Sequence, residues 1–315
     1  MTRDWNISAC RWAATCCIVA CHIMQYYENC LAYWFNIGVQ VFFIISGYLY
    51  CNKQVSQPLR FLTRNWLKIL IPCEIFLIGT LFAFYVVGVD LPPTKECIRV
   101  VLLSQTIPGC GHLWFISQIL FCYLSIPVLH GVRIEMSECG KARYVVIVSA
   151  IIAVICCICI GYRTHVRADC FVCFIVGFFL CDYNKRFASI DKTFIKLLIF
   201  SGGLAFIVRI SLMLNGCLDG DIYILDMWLK AAVAMAFFLF FVHYCKFTDN
   251  WLLRYSDQCS YYIYLTHHIW LLGPLSVMGH PYGAGMFLAL LLTVISSFLL
   301  KLISSKILSY FRRWL

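Results

Sequence analysis

Stretches of apolar sequence long enough to cross a bilayer recur from one end of this 315-residue chain to the other. A helix rises about 1.5 Å per residue, so about 20 apolar residues cover roughly 30 Å of hydrocarbon. Ten such stretches can be read, at about 8–25, 34–51, 66–88, 113–131, 144–161, 168–181, 195–214, 224–244, 259–278 and 284–303, the sixth being the shortest. The longest connections, about 89–112 and 182–194, leave no room for a soluble domain, so residues 1–315 are expected to form a single integral-membrane domain. Charge points the same way: only 13% of residues are Asp, Glu, Lys or Arg, about half of what a soluble globule uses to keep its surface in water. A soluble enzyme, a secreted disulfide scaffold and a nucleic-acid binder are thereby excluded, and the expected fold is an all-α polytopic helix bundle. The first stretch carries Arg11 and His22 and lacks a small-x-small cleavage pattern, so no cleavable signal is expected.

The net charge of +10 is mostly a matter of orientation. Ten spans put both termini on one side. The termini and the connections on that side hold eighteen Lys and Arg residues, against four (Lys95, Arg99, Arg163 and Arg167) on the other. Basic residues stay in the cytoplasm, so both termini are expected there. Most of the twenty cysteines lie inside apolar runs, where a thiol acts as a small core residue. Cys170 and Cys173 form a CxxC without a second pair, and no zinc, P-loop or dinucleotide pattern occurs in a suitable context, so no metal is expected. Cys97 and Cys110 share one loop and could pair there.

An ionisable residue in lipid is costly and therefore informative. Arg11 and His22 are eleven residues apart, about 1,100° of rotation and about 16 Å of rise. They should project from one face of the first helix, Arg11 toward the cytoplasmic end and His22 toward the outer half, as a polar track. Gly47, in Ser46-Gly47-Tyr48, is suited to close helix packing and Tyr48 to interfacial anchoring. Glu74 could pair with Lys68 or Arg64. Arg209, Asp226 and Lys230, near the outer ends of the seventh and eighth spans, could bind an anionic glycan or neutralise one another. His267 and His268 point about 100° apart on a helix, so only one of them is expected to face the interior.

The first span reads RWAATCCIVACH, an Arg-x10-His, and the second GVQVFFIISGYLY. A basic segment, RFLTRNWLKILIP, follows; GHLWFISQILFCYLSIP opens the fourth span and SYYIYLTHHIW the ninth. In this order, over nearly the whole chain, the blocks resemble the integral-membrane acyltransferase family 3. Its members acylate hydroxyls of bacterial O-antigens, exopolysaccharides, capsules, peptidoglycan and some antibiotics. One departure is visible: the family often has Arg-x-x-Arg before the third span, and here the stretch is Arg64-Asn-Trp-Leu-Lys68.

The resemblance implies an acyl donor, usually acetyl-CoA, held on the cytoplasmic side, and an acceptor on a glycan or lipid-linked saccharide, in a bacterial cytoplasmic (inner) membrane. Acetyl-CoA is polyanionic and needs cations at the inner face, which Arg11, Arg64 and Lys68 would supply. A base must take the proton from the attacking hydroxyl, and His22 suits that task; a covalent acyl-histidine is the other route open to it. His112, Trp114 and His267 fall in family blocks and are candidates for the acceptor site. Composition alone fits another class equally well, a non-enzymatic carrier or flippase for an anionic or glycan-linked substrate.

Overall fold

The structure, a computed structural model, describes residues 4–91, 93–161, 167–187, 191–216, 221–280 and 283–311. Arg3, Arg163, Arg312 and Arg313, four of the cations used above for orientation, lie outside the described residues. The described chain is helical, without strands: α1 (Trp5–Tyr26), a single turn α2 (Ala32–Phe35), α3 (Gly38–Tyr50), α4 (Pro58–Val87), a short surface helix α5 (Thr94–Val101), α6 (Trp114–Glu135), α7 (Lys141–Gly161), α8 (Ala168–Arg186), α9 (Lys192–Leu214), α10 (Asp221–Tyr244), α11 (Trp251–Leu272) and α12 (Ala284–Phe311). Each of the ten apolar stretches falls on a helix, with α2 and α3 sharing the second.

Local chemistry sets the ends. Asp4 caps α1, its carboxylate accepting from the backbone N–H groups of Asn6 and Ile7. Pro58 opens α4, and Gly88, at φ 78°, closes it in the left-handed conformation that favours glycine. The ninth stretch is displaced from its expected position. Asn250 accepts from Leu252 and Leu253 N–H and starts α11 well before residue 259, and the helix stops at Gly273, ahead of Pro274. Capping and turn chemistry thus override hydropathy, and α11 takes in the polar stretch 254–258 ahead of the apolar run.

Eight of these helical segments are long and apolar enough to cross a membrane. The two others, α8 and α11, are less apolar but lie inside the bundle; twelve of the nineteen α8 residues are buried. At the opposite extreme, only 6% of the apolar window of α7 is buried by protein. Exposed Ile78, Phe82, Phe200, Ile207, Val294 and Phe298 present the apolar outer surface that lipid requires.

The bundle is built around three tight pairings, α3 with α8, α9 with α10 and α1 with α11. A Cβ on Gly47 would lie 1.9 Å from the carbonyl oxygen of Phe174, and one on Gly177 would lie 2.2 Å from that of Ile44. The α3 and α8 backbones therefore touch at reciprocal glycines, as small residues allow in a membrane. Successive spans alternate in direction. At one end Arg133 and Arg186 converge on Asp182, which also accepts from the Tyr144 hydroxyl at 3.0 Å. This basic end carries the start of α1 and the 51–57 turn; the other carries His22, the 105–112 segment and the end of α11. Cys97 and Cys110 are not joined in a disulfide, and neither are Cys170 and Cys173. One Glu74 carboxylate oxygen is buried without a hydrogen-bond partner among the described residues, which lends no support to the expected ion pair there.

Candidate active site

The α1–α11 seam brings the Arg-x10-His pair to its partners. Arg11 and His22 do share one face of α1, and that face packs on α11. Arg11 Nη1 donates to Asp257 Oδ1 at 2.6 Å, and the Ser8 hydroxyl reaches the other oxygen of the same carboxylate at 3.3 Å. One long helical reach away, the His22 ring lies 5.1 Å from that of His267 and 4.6 Å from that of His268. Both consecutive histidines thus meet His22, contrary to the expectation that only one would face inward. The 100° between them straddles α1 instead of dividing inside from outside.

His112 completes the group. Its ring stacks on His268 at 4.7 Å and lies edge-on to His267 at 5.2 Å. Each of the four imidazoles spends one nitrogen on an oxygen that can only accept, which fixes its tautomer. His22 Nδ1 donates to Gln25 Oε1 at 2.6 Å, His112 Nε2 to Leu265 O at 3.1 Å, His267 Nδ1 to Tyr264 O at 2.7 Å, and His268 Nδ1 to Gly109 O at 2.9 Å. One lone pair per ring is left over. Those of His112 Nδ1 and His267 Nε2 are buried without a partner. His22 keeps Nε2, in a ring oriented by the glutamine one turn along α1. Among the described residues no group of three or more ligand-type side chains is arranged to hold a metal ion.

Two cavities approach this seam from opposite ends. The larger, about 680 Å³, opens at the basic end between α1, α3 and α11; Arg11 and Lys53 are balanced on its lining by Asp4 and Asp257, with Ser46 and Tyr48 also on its wall. Lys53 stands at its mouth, 4.4 Å above the Tyr50 ring. Burial there, and then the nearby charges of Arg64 and Arg11, push the Lys53 ammonium below the usual lysine range. The smaller cavity, about 240 Å³, opens at the other end and is lined by His22, Gln25, His112, Trp114, His268 and Lys230, among others. Tyr264 lines both cavities, and its hydroxyl donates to the His112 carbonyl. A single aromatic layer therefore separates them.

The candidates read from sequence are distributed as follows. Arg11 lines the larger cavity; His22, His112 and Trp114 line the smaller. His267 is fully buried behind the wall, touching the His22 and His112 rings. Arg64 is exposed on α4 and Lys68 bonds Asn65 at 3.5 Å; neither lines the larger cavity, though Arg64 adds to the field around Lys53. Trp114 carries the Arg167 guanidinium 4.8 Å above its ring. Arg209 and Asp226 do pair with each other, at 2.7 Å and almost wholly buried.

Several participants were not singled out from sequence, namely Gln25, Lys53, Asp257 and Tyr264, and His268 was considered only as the alternative to His267. Gln25 was within reach, since a residue at i+3 faces its neighbour on a helix. Asp257 carried no such signal, since it lies in the polar stretch just ahead of the ninth apolar run.

No curated protein and no solved structure matches the chain. A family model described as an acyltransferase domain matches residues 4–305, nearly its full length and every element of the two cavities. The chain therefore belongs to the integral-membrane acyltransferase family 3.

Proposed function

We propose that this membrane acyltransferase is an O-acetyltransferase of a bacterial cytoplasmic membrane, which takes an acetyl group from cytoplasmic acetyl-CoA and passes it to a hydroxyl of a surface polysaccharide or lipid-linked glycan precursor. The observation that carries this reading is the pair of cavities meeting at Tyr264, with Arg11 in one and His22 in the other on a single helix face. The positive-inside rule assigns the basic end to the cytoplasm, so the larger cavity is the donor side. Arg11 and Lys53 supply cations for the CoA phosphates, with Arg64 outside the mouth and Lys68 further along α4. The slender pantetheine arm provides the reach from there past Tyr264 toward His22.

The acceptor hydroxyl then lies in the smaller cavity. His22 Nε2 takes its proton as the oxygen attacks the thioester carbonyl; the C–S bond breaks, and the CoA thiolate leaves and collects the proton. Gln25 holds Nδ1–H and so keeps the lone pair on Nε2. The same lone pair would serve an acyl-imidazole route, which differs by a burst of free CoA before any ester appears. Acyltransferase family membership favours the enzyme over a carrier.

The test uses inverted membrane vesicles holding the full chain and labelled acetyl-CoA. Label is expected in an alkali-labile ester of the glycan fraction, and His22→Ala is expected to lower its rate by about 10²–10⁴-fold, the usual worth of a general base, with membrane insertion unchanged. Full ester formation by His22→Ala removes His22 from the mechanism; glycan movement without ester formation restores the carrier.

A further inference from the structure

Five ionisable side chains gather around the smaller cavity where α8, α9 and α10 converge: Arg167, Asp169, Arg209, Asp226 and Lys230. Their pairing is uneven. Asp226 is taken up by Arg209 at 2.7 Å, and Arg209 further lies 4.6 Å over the Tyr33 ring. Asp169, fully buried, accepts from Gln40 Nε2 at 2.7 Å and from Arg167 at 3.2 Å. Both carboxylates are thus committed to arginines, and three cations face two anions. The remaining charge is that of Lys230. It is 8% exposed, it lines the cavity, and among the described residues its ammonium makes no hydrogen bond or ion pair.

A buried ammonium without a counter-ion is expensive in a membrane protein, and such groups mark the path of a charged ligand. The small volume matters too. In about 240 Å³ the ammonium shares one space with His22 and with the Trp114 ring that supports Arg167. An anion held at Lys230 therefore sits on the molecule that offers its hydroxyl to His22.

We infer that the acceptor carries an anionic group, a carboxylate or a phosphate, near the hydroxyl that is acylated, and that Lys230 is its counter-ion, with Arg167 as a second donor. The inference rests on the smaller cavity being the acceptor site. It makes anion recognition a requirement for positioning: a neutral sugar leaves the lysine unpaired, whereas an acidic one completes the charge balance at the moment of binding.

The full-length protein in zwitterionic nanodiscs is titrated with methyl glucuronide, glycerol 3-phosphate and neutral methyl glucoside, and with acetyl-CoA as a control for the larger cavity. At least one charged probe is expected to bind tenfold or more tightly than the glucoside, and which one does so distinguishes carboxylate from phosphate. Lys230→Gln is expected to erase that preference while acetyl-CoA binding persists, and Lys230→Arg to keep it. Equal binding of charged and neutral probes, no binding of either charged probe, or a preference that survives in Lys230→Gln overturns the inference. The catalytic reading fails separately: ester formation that persists in His22→Ala removes it without touching the probe preference.

Discussion

At the scale of single residues the site depends on which nitrogen of His22 carries the proton. A neutral imidazole has one donor and one acceptor, and only the acceptor can take a proton from a hydroxyl. Gln25 decides the matter by accepting from Nδ1 at 2.6 Å. A neutral hydrogen bond of this kind is worth about 1 kcal/mol net, or about fivefold in rate. Gln25→Leu is therefore expected to lower acyl transfer about fivefold with little change in the acetyl-CoA KM, because Gln25 lies on the wall opposite the donor. A change confined to KM would mean that Gln25 contacts substrate and does not orient the histidine. Arg11 has a different kind of dependence. Its bond to Asp257 uses one Nη1 donor of the guanidinium, so the ion pair fixes the fork without exhausting it, and the side chain lines the larger cavity.

At the scale of elements, hydropathy identified helices better than it identified their roles. The sixth apolar stretch is short and its helix carries Asp169, Asp182, Lys185 and Arg186, which made it the weakest span by composition; it is nonetheless among the most buried helices. A helix enclosed by other helices can keep charges that a lipid-facing one cannot, provided each finds a partner, and Asp169 and Asp182 do. Gly47 and Gly177 are what let α8 come so close to α3. Gly47→Ala is expected to lower the denaturation temperature in detergent, by an overpacking cost of about 1–3 kcal/mol, since its methyl group would meet backbone that cannot swing aside. Gly79→Ala is the matched control on α4. A Cβ there meets nothing within 4 Å, and alanine is the better helix former, so its stability should equal or exceed that of the parent. If both variants behaved alike, the reciprocal glycines would not be what holds α3 against α8.

At the scale of the whole molecule, what sequence could and could not disclose follows from distance along the chain. That Arg11 and His22 share a face is a property of one helix and its 100° step, so it was legible. That the face meets Asp257 and His268, almost 250 residues away, depends on which helices pack together, and no local period encodes that. Orientation lies between these cases, because it is a sum over all connections and survives the loss of any few of them. The basic end holds Lys53, Arg133, Lys141 and Arg186 beside the larger cavity and its supporting network, while Lys95, Arg99 and Arg167 are the described basic residues of the other end's connections. A green fluorescent protein fused to the C-terminus is therefore expected to fluoresce, and alkaline phosphatase there to be inactive. Phosphatase placed after Gly88, at the end of α4, is expected to be active, since that turn lies at the end of the bundle opposite Pro58. The donor assignment hangs on this result more than on any single side chain. An active phosphatase at the C-terminus would turn the molecule over, open the Arg11 cavity away from the cytoplasm, and leave a cytoplasmic acyl-CoA facing the small histidine-lined cavity in place of the large one that holds Arg11 and Lys53.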